Sequence, residues 1–105
     1  MTHRWNDVPG QRVAEGIARQ MIVSERLMMC RITLAPRLDP PAHSYPHEQL
    51  PMIERGRVCF TIAGQEHIAS AGDVRHVPSD VIHGATCSTR RSGSWASARR
   101  SGKNY

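Results

Sequence analysis

The fold of this chain is limited first by short segments in which every second residue is apolar. From Met28 to Leu34, one face carries Met28, Cys30, Ile32 and Leu34. This period of two residues is that of a half-buried β-strand. A second segment repeats the pattern with Val58, Phe60 and Ile62. Both segments are therefore predicted to be strands that pack one face against a core.

Turns that contain glycine separate these segments from weaker ones. Ala63-Gly64 supplies one turn, and Ala71 to Asp73 supplies another before the apolar run Val74 to Val77. Gly16 to Val23 is a weaker strand candidate, and residues 83–87 form a further short one. No segment sustains a helical i, i+3, i+4, i+7 stripe beyond a turn or two. Short strands at regular spacing predict an all-β sandwich or barrel.

Length and hydropathy predict one soluble domain. A chain of 105 residues buries roughly 60 to 70% of its unfolded surface, which suffices for one core. The sequence has no apolar run of about 18 residues and no secretory signal, so we expect a cytoplasmic protein that does not enter a membrane. No C-x-x-C spacing occurs, so the cysteines are expected to be reduced thiols: Cys30, Cys59 and Cys87.

The net charge of +5 belongs to the C-terminal end alone. Residues 1–87 contain nine arginines and all nine acidic residues, whereas residues 88–105 contain four arginines, one lysine and no acid. A basic arm with Trp95 and Tyr105 as stacking platforms is one hypothesis, but the neutral body disfavours binding to nucleic acid. Residues 88–105 also lack Val, Ile, Leu, Met and Phe, so they are predicted to be a disordered or loosely attached tail.

The sequence HSYPHEQ, residues 43–49, places four potential metal or proton ligands at alternate positions: His43, Tyr45, His47 and Gln49. An extended strand would direct all four to one side, and a β-barrel can bring such a set together with His83 from a later strand. Pro46 should bend the chain before His47, which is therefore interpreted as a solvent-facing loop histidine. Imidazole and amide oxygen suit Zn, Ni, Fe or Mn without distinguishing among them.

Glycine and proline residues extend this set into a two-part pattern. The first part runs His43-x-Tyr45-x3-Gln49-x6-Gly56, and the second, fifteen residues later, runs Gly72-x5-Pro78-x-Asp80-x2-His83-x3-Cys87. It resembles the two-part signature of the cupin superfamily, His-x-His-x3or4-Glu-x6-Gly followed by Gly-x5-Pro-x-Gly-x2-His-x3-Asn. Within that superfamily the sequence is similar to small single-domain cupins of the pectin degradation type. The resemblance implies a cupin β-barrel of the double-stranded β-helix, or jelly-roll, type.

The resemblance also implies a site for a divalent metal ion. His43, Gln49 and His83 match ligand positions, and a Gln in place of Glu is typical of the pectin degradation type. Tyr45 occupies the position of the second histidine. A phenol binds a metal only when the metal displaces its proton, so Tyr45 is interpreted either as a weak fourth ligand or as a catalytic proton donor to substrate.

The remaining signature positions are implied to be turn residues. Gly56 and Gly72 would reach positive φ without strain. Asp80 stands where the family has a third glycine, and Asp tolerates the left-handed region better than most residues do.

The family pattern is not followed beyond Cys87. Small cupins of this type are expected to end with a stretch resembling Asp-x-Phe-x-Pro-x-Arg, which closes the barrel and contributes an Asp and an Arg to catalysis. No Asp, Phe or Pro follows Cys87. We therefore expect residues 1–11 to be a lead-in, residues 12–87 a barrel without its C-terminal strand, and residues 88–105 a polar basic tail. One hypothesis is that this tail is an out-of-frame translation of the missing strand.

Two functional hypotheses follow for the domain. The first is a metal-dependent cupin that acts on unsaturated uronates or similar small sugar acids by metal-assisted tautomerisation, as an isomerase- or lyase-type enzyme. The second is a non-enzymatic remnant that binds no metal because of Tyr45 and the missing C-terminal stretch. In either case the resemblance implies a homodimer, since cupin barrels commonly pair through sheet edges.

Overall fold

The computed structural model describes residues 1–38, 40–87 and 92–100, which form an almost entirely β structure. A 3-10 helix at Trp5–Asp7 precedes the strands. In chain order the strands are β1 Gln11–Ala14, β2 Ile17–Val23, β3 Leu27–Leu34, β4 Leu50–Arg55, β5 Arg57–Ile62, β6 Gln65–Ser70, β7 His83–Cys87 and β8 Gly93–Arg100. None of the three described ranges contains a helix with the length and apolar character needed to cross a membrane.

The strands form two antiparallel sheets. The larger sheet has the order β1-β2-β3-β8-β4, and the smaller sheet has the order β6-β5-β7. Isolated bridges outside the strands pair His43 with His83, Gln49 with Val77, and Met52 with Val74. This arrangement confirms the predicted all-β fold of jelly-roll type.

The periodic segments form the predicted strands. Met28 to Leu34 lie in β3, and the inward-facing Met28 and Leu34 are buried. Val58 and Phe60 are the buried positions of β5. The weaker candidate at residues 16–23 forms β2, and residues 83–87 form β7. The apolar run at residues 74–77 contributes only isolated bridges, to Met52 and Gln49.

The prediction of a disordered or loosely attached tail is wrong for Gly93–Arg100. These residues form β8, which pairs along its length with β3 on one side and with β4 on the other. Trp95, for example, lies opposite both Ile32 and Ile53. A strand between two neighbours is held by backbone hydrogen bonds on both edges, so it forms without aliphatic side chains. The rest of the predicted tail, residues 88–91 and 101–105, lies outside the described residues.

The prediction that the barrel lacks its C-terminal strand is therefore also wrong. The strand that follows Cys87 lies inside the larger sheet and leaves β1 and β4 as the outer strands of that sheet. The out-of-frame hypothesis rests on the change of composition at Ser88 and stays a prediction, which the gene sequence would test.

The core lies between the two sheets and joins β8 to the rest of the fold. Ile53, Val58, Phe60 and Ala69 form a buried cluster, and Trp95 packs against it. The rings of Phe60 and Trp95 meet edge to face, with centroids 5.4 Å apart and an interplanar angle of 71°. Aromatic pairs favour this geometry because the positive edge of one ring faces the negative face of the other.

The signature turn residues adopt the expected backbone conformation. Gly56 and Gly72 have φ of 76° and 94°, and Asp80 has φ of 62°. At Gly56 the reason is steric as well, since a Cβ atom there would lie 3.0 Å from the carbonyl oxygen of Ser92. Gly56 therefore allows the chain to enter β8 beside the turn between β4 and β5.

The two tryptophans provide a test of the role of β8. Trp95→Ala is expected to lower the free energy of unfolding by about 3 kcal/mol, because it opens a cavity against Phe60. The control is Trp5→Ala in the N-terminal segment, where the ring faces the guanidinium of Arg31 at 5.7 Å and the expected loss is about 1 kcal/mol or less. Urea unfolding measures both. An equally small loss for the two variants would contradict the placement of β8 against the core.

Candidate functional site

A cavity of about 440 Å³ lies on the inner side of the larger sheet. Its wall is mostly apolar, with contributions from Ile32, Phe60 and Trp95. No Asp or Glu occurs among the described residues that line it. Its polar lining includes basic, ligating and hydroxyl or thiol groups: Arg19, Cys30, His43, Tyr45, Gln49, His83, Ser97 and Arg99. The cavity is therefore a pocket with apolar walls, positive charge and no carboxylate of its own among those residues.

His43 and His83 are brought together by the backbone. The amide of His43 donates to the carbonyl of His83 at 2.9 Å, and the amide of His83 donates to the carbonyl of His43 at 2.8 Å. Residues directly opposite each other in an antiparallel pair project their side chains to the same side. The two rings accordingly lie edge to face, with centroids 4.5 Å apart and an interplanar angle of 70°.

Hydrogen bonds leave both imidazoles with a free lone pair. Nδ1 of the buried His83 lies 3.0 Å from the carbonyl oxygen of Val81, which can only accept, so Nδ1 carries the proton and Nε2 keeps its lone pair in the neutral ring. Partial burial and the neighbouring His83 lower the pKa of His43, although a hydrogen bond to the carbonyl of Pro41 raises it in part. A neutral imidazole is the form that binds a metal ion.

Tyr45 lies within the cluster of rings instead of pointing away from it. Its ring centroid is 4.8 Å from that of His43 and 5.8 Å from that of His83. Its carbonyl accepts a hydrogen bond from the amide of Asp80 at 2.7 Å, which ties the two halves of the signature together. Gln49 lines the same cavity and is held by paired backbone hydrogen bonds with Val77, at 3.0 and 2.9 Å. The structure thus brings His43, Tyr45, Gln49 and His83 to one cavity, as the sequence pattern predicts.

The interpretation of His47 as a solvent-facing loop residue is wrong. The chain bends at Pro46 and His47 as expected, but the bend turns the His47 ring onto Tyr45, with centroids 5.2 Å apart and planes within 11° of parallel. Nη1 of Arg99 donates a hydrogen bond to Nε2 of His47. Partial burial and the charge of Arg99 lower the pKa of His47.

Arg99 is a cavity residue to which the sequence patterns assign no role, since it lies in the predicted tail. Its guanidinium carbon lies 5.7 Å from the centroid of the Tyr45 ring, and Nη2 lies 3.8 Å from the sulfur of Met28. The alternation of Trp95, Ser97 and Arg99, all of which line the cavity, is the signal in the sequence. That signal is weak because the segment contains no aliphatic residue larger than alanine.

The other positions of the closing stretch do not match the family pattern. Counting back from Arg99 along Asp-x-Phe-x-Pro-x-Arg places Ser97 at the Pro position, Trp95 at the Phe position and Gly93 at the Asp position. A Cβ atom at Gly93 would lie 3.0 Å from Val58 and 3.4 Å from the sulfur of Cys87. The position of the expected acid is thus filled by backbone packed against the core.

Comparison with known proteins identifies the family. The sequence profile described as Cupin domain matches residues 30–97, which is more than half of the chain. This protein is a cupin. No curated protein matches the sequence.

Solved structures of other cupins resemble this one in fold. An RmlC-like cupin from Shewanella frigidimarina has a TM-score of 0.85 at 22% identity and covers 97% of this chain and 91% of its own. KdgF from Halomonas sp. has a TM-score of 0.83 at 19% identity and covers 94% and 91%. A predicted oxalate decarboxylase from Thermotoga maritima has a TM-score of 0.85 at 16% identity and covers 95% and 98%. At these identities the likeness establishes the fold and not a shared activity.

The donor chemistry of His43 and His83 suits a metal ion. Both imidazoles line the cavity with ring centroids 4.5 Å apart. Neutral imidazole nitrogens are common ligands of divalent transition metals. The described residues contain no group of three or more His, Cys, Asp and Glu that could hold a metal, because the other two positions are Gln49 and Tyr45. The potential metal ligands in the described part of the cavity are therefore uncharged side chains, without a carboxylate or a thiolate.

The lowered pKa values of His43 and His47 predict that the free energy of unfolding depends on pH. Below its ordinary pKa of 6.5 histidine takes up a proton in the unfolded chain, while His43 and His47 resist it in the folded protein. The unfolded state then binds more protons, so the free energy of unfolding should fall as the pH drops from about 6.5 through the folded-state pKa values.

The Arg99→Met variant should change the pKa of His47 but not that of His43. Removing the guanidinium should raise the pKa of His47 towards its ordinary value and leave that of His43 unchanged, because His43 responds to burial and to His83. NMR titration of the imidazole protons in metal-free protein measures both values. Arg31→Met is the control, since Arg31 pairs with Glu54 outside the cavity. An unaltered pKa of His47 in Arg99→Met would contradict the assigned contact.

Proposed function

We propose that this cupin binds a divalent metal ion through His43, Gln49 and His83 and acts on unsaturated uronates or similar small sugar acids by metal-assisted tautomerisation. The observation that carries the proposal is that the rings of His43 and His83 converge in a cavity that also contains Arg99. The two histidines would bind a metal ion that acts as a Lewis acid, and Arg99 would bind a carboxylate. The combination therefore matches a substrate that has both an enol or carbonyl oxygen and an acid group.

Arg99 is the residue that would hold the substrate carboxylate. A guanidinium offers several N–H donors in one plane and binds a carboxylate through two parallel hydrogen bonds. Nη2 of Arg99 lies 3.8 Å from the sulfur of Met28, which is a weak acceptor. A carboxylate oxygen is a far better acceptor, so exchanging the sulfur for a carboxylate favours binding. The nearby Tyr45 ring would then lie beside the sugar ring of the substrate.

A tautomerisation moves one proton and changes no atom count. The proton leaves an enol oxygen, a proton is delivered to the neighbouring carbon, and the enol becomes a ketone. Tyr45 is the hydroxyl group placed among the rings of His43, His47 and His83, so it is the residue proposed to donate or relay that proton. A divalent metal held by His43, Gln49 and His83 would polarise the substrate oxygen as a Lewis acid.

A second candidate function is a metal-free cupin that binds a small anion without turning it over. Two observations favour it: Tyr45 replaces a histidine at the ligand position, and Gly93 replaces the acid expected on the closing strand. The described wall of the cavity carries positive charge and no carboxylate, so it would still bind an anionic ligand. Metal content is the measurement that distinguishes the two functions.

Metal titration tests the proposed ligand set. His43→Ala and His83→Ala should each weaken the binding of Ni²⁺ or Zn²⁺ by about 100-fold or more, since losing a residue that only supports a ligand already costs about 10 to 100-fold. Tyr45→His should strengthen binding by about tenfold or more by restoring an imidazole donor. A competition assay with a coloured chelator measures the affinities.

His76→Ala serves as the control for these variants. His76 is exposed and bonds to Glu48 at 2.7 Å, outside the described cavity wall, so this variant should bind metal like the wild type. If the wild type and Tyr45→His both remain metal-free at saturating metal, the lead proposal is wrong and the metal-free function takes its place.

Turnover of an unsaturated uronate tests Arg99. Arg99→Met should raise KM by about tenfold or more through loss of the charge-assisted pair, and Arg99→Lys should recover part of that loss because it keeps the charge but not the planar fork. The ultraviolet absorbance of the conjugated double bond follows the reaction. Arg31→Met should leave KM unchanged. A KM that Arg99→Met does not alter would remove the carboxylate-binding role.

A further inference from the structure

Arg19 is a second arginine in the cavity, on a different strand from Arg99. It lies on β2 and faces the same cavity from the other side of β3. Its Nη2 donates to Oε1 of Gln11 at 3.1 Å, and its buried Nε has no hydrogen-bond partner among the described residues. Among the described residues, neither Arg19 nor Arg99 forms an ion pair with a carboxylate. The proposed function uses Arg99 and leaves Arg19 without a role.

Ser97 is a second buried polar group that no contact explains. Ser97 is 6% exposed and lines the cavity, and within residues 1–38, 40–87 and 92–100 its Oγ has no hydrogen-bond partner. A buried hydroxyl that makes no hydrogen bond is destabilising, so such a group is usually satisfied by a ligand or a water molecule. Ser97 also stands where the family's closing stretch has a proline, so the hydroxyl is a feature of this chain.

Cys30 lies where these groups approach one another. It is directly paired with Ser97 across β3 and β8. Burial raises the pKa of the Cys30 thiol, and the charges of both Arg19 and Arg99 oppose that rise. Both guanidiniums are therefore close enough to act electrostatically on the same point of the cavity floor. Two positive groups and an unsatisfied hydroxyl around one apolar cavity favour an anion.

We propose that Arg19 and Ser97 form a second oxyanion subsite, so that the preferred ligand of this cavity is a small sugar acid with two anionic groups. Arg99 takes one carboxylate, and Arg19 together with the Ser97 hydroxyl takes the second oxyanion, a carboxylate or a phosphate. The inference rests on the proposed function only in assigning the first carboxylate to Arg99. Among the small sugar acids of the proposed function, it favours those that carry a second anionic group.

Three six-carbon probes that differ only in their end groups test the subsite. Gluconate has one carboxylate, glucarate has a carboxylate at each end, and 6-phosphogluconate has a carboxylate and a phosphate. Calorimetric titration of metal-free wild type at one ionic strength should give at least one dianion an affinity about tenfold or more above that of gluconate, the gain expected from one charged hydrogen-bonded pair. Preference for glucarate identifies the second group as a carboxylate, and preference for 6-phosphogluconate identifies it as a phosphate.

Substitutions at Arg19 test whether this residue causes the preference for probes with a second anionic group. Arg19→Met should abolish it while leaving gluconate within about twofold of wild type, because a charged hydrogen-bonded pair is lost only from the second group. Arg19→Lys should retain part of the preference, and Ser97→Ala should reduce it. Arg12→Met is the matched control, since Arg12 lies on neighbouring β1, is exposed and does not line the cavity. Thermal unfolding confirms that each variant is folded.

The outcomes separate this inference from the proposed function. Equal affinity for gluconate and both dianions overturns the subsite and leaves the proposed function standing. A parallel loss for all three probes in Arg19→Met also overturns it, because Arg19 would then support the cavity without recognising the second group. Failure of metal-free wild type to bind any probe overturns the subsite, while turnover of an unsaturated uronate by metal-loaded protein decides the proposed function separately. A dianion preference without turnover of uronates by metal-loaded protein supports the subsite and counts against the proposed tautomerisation.

Discussion

The position of β8 between β3 and β4 is the constraint on which the rest of this structure depends. Both edges of the strand are used in pairing, so it joins two parts of the larger sheet that are otherwise separate. The small residues of β8 do not weaken this role, because the pairing comes from backbone groups. Trp95 adds the contact with Phe60 that attaches the strand to the core between the sheets.

The same strand determines the charge of the cavity. Its inward positions alternate, so Trp95, Ser97 and Arg99 all reach the cavity wall. Arg99 then meets the ring cluster of Tyr45 and His47, and its charge helps to keep His47 neutral. A strand with an acid at the position of Gly93 would have given the cavity a negative group. In this chain β8 contributes the guanidinium of Arg99 and no carboxylate.

Two requirements compete within this cavity. A divalent metal ion is favoured by negative ligands and disfavoured by nearby guanidiniums, whereas an anionic substrate is favoured by both the metal and the guanidiniums. The chain offers neutral donors at His43, Gln49 and His83. In the proposed function, such a donor set would bind a metal less tightly than a site with carboxylate ligands and would leave the cavity more attractive to anions. The metal and the anionic substrate would thus support each other's binding, since each supplies the charge that the other lacks.

Local patterns in the sequence were sufficient for much of the fold. The alternation in β3 and β5 follows from periodicity, whereas the positive φ of Gly56 and Gly72 and the shared site of His43 and His83 follow from the resemblance to the cupin signature. These features depend on neighbours in sequence or on a signature whose spacing sets which residues face one another. The backbone bridge between His43 and His83 expresses that spacing directly.

The tertiary structure alone decided what becomes of residues with no clear local preference. The segment Gly93–Arg100 has little aliphatic character, and only the two open edges of β3 and β4 make it a strand. His47 and Arg99 are 52 positions apart, and no period or motif relates them until the sheet brings them into contact. The sequence thus determined an all-β cupin with two histidines facing one cavity. Long-range strand pairing decided that the cavity also contains arginines, because backbone pairing can recruit a segment whose side chains give no signal of their own.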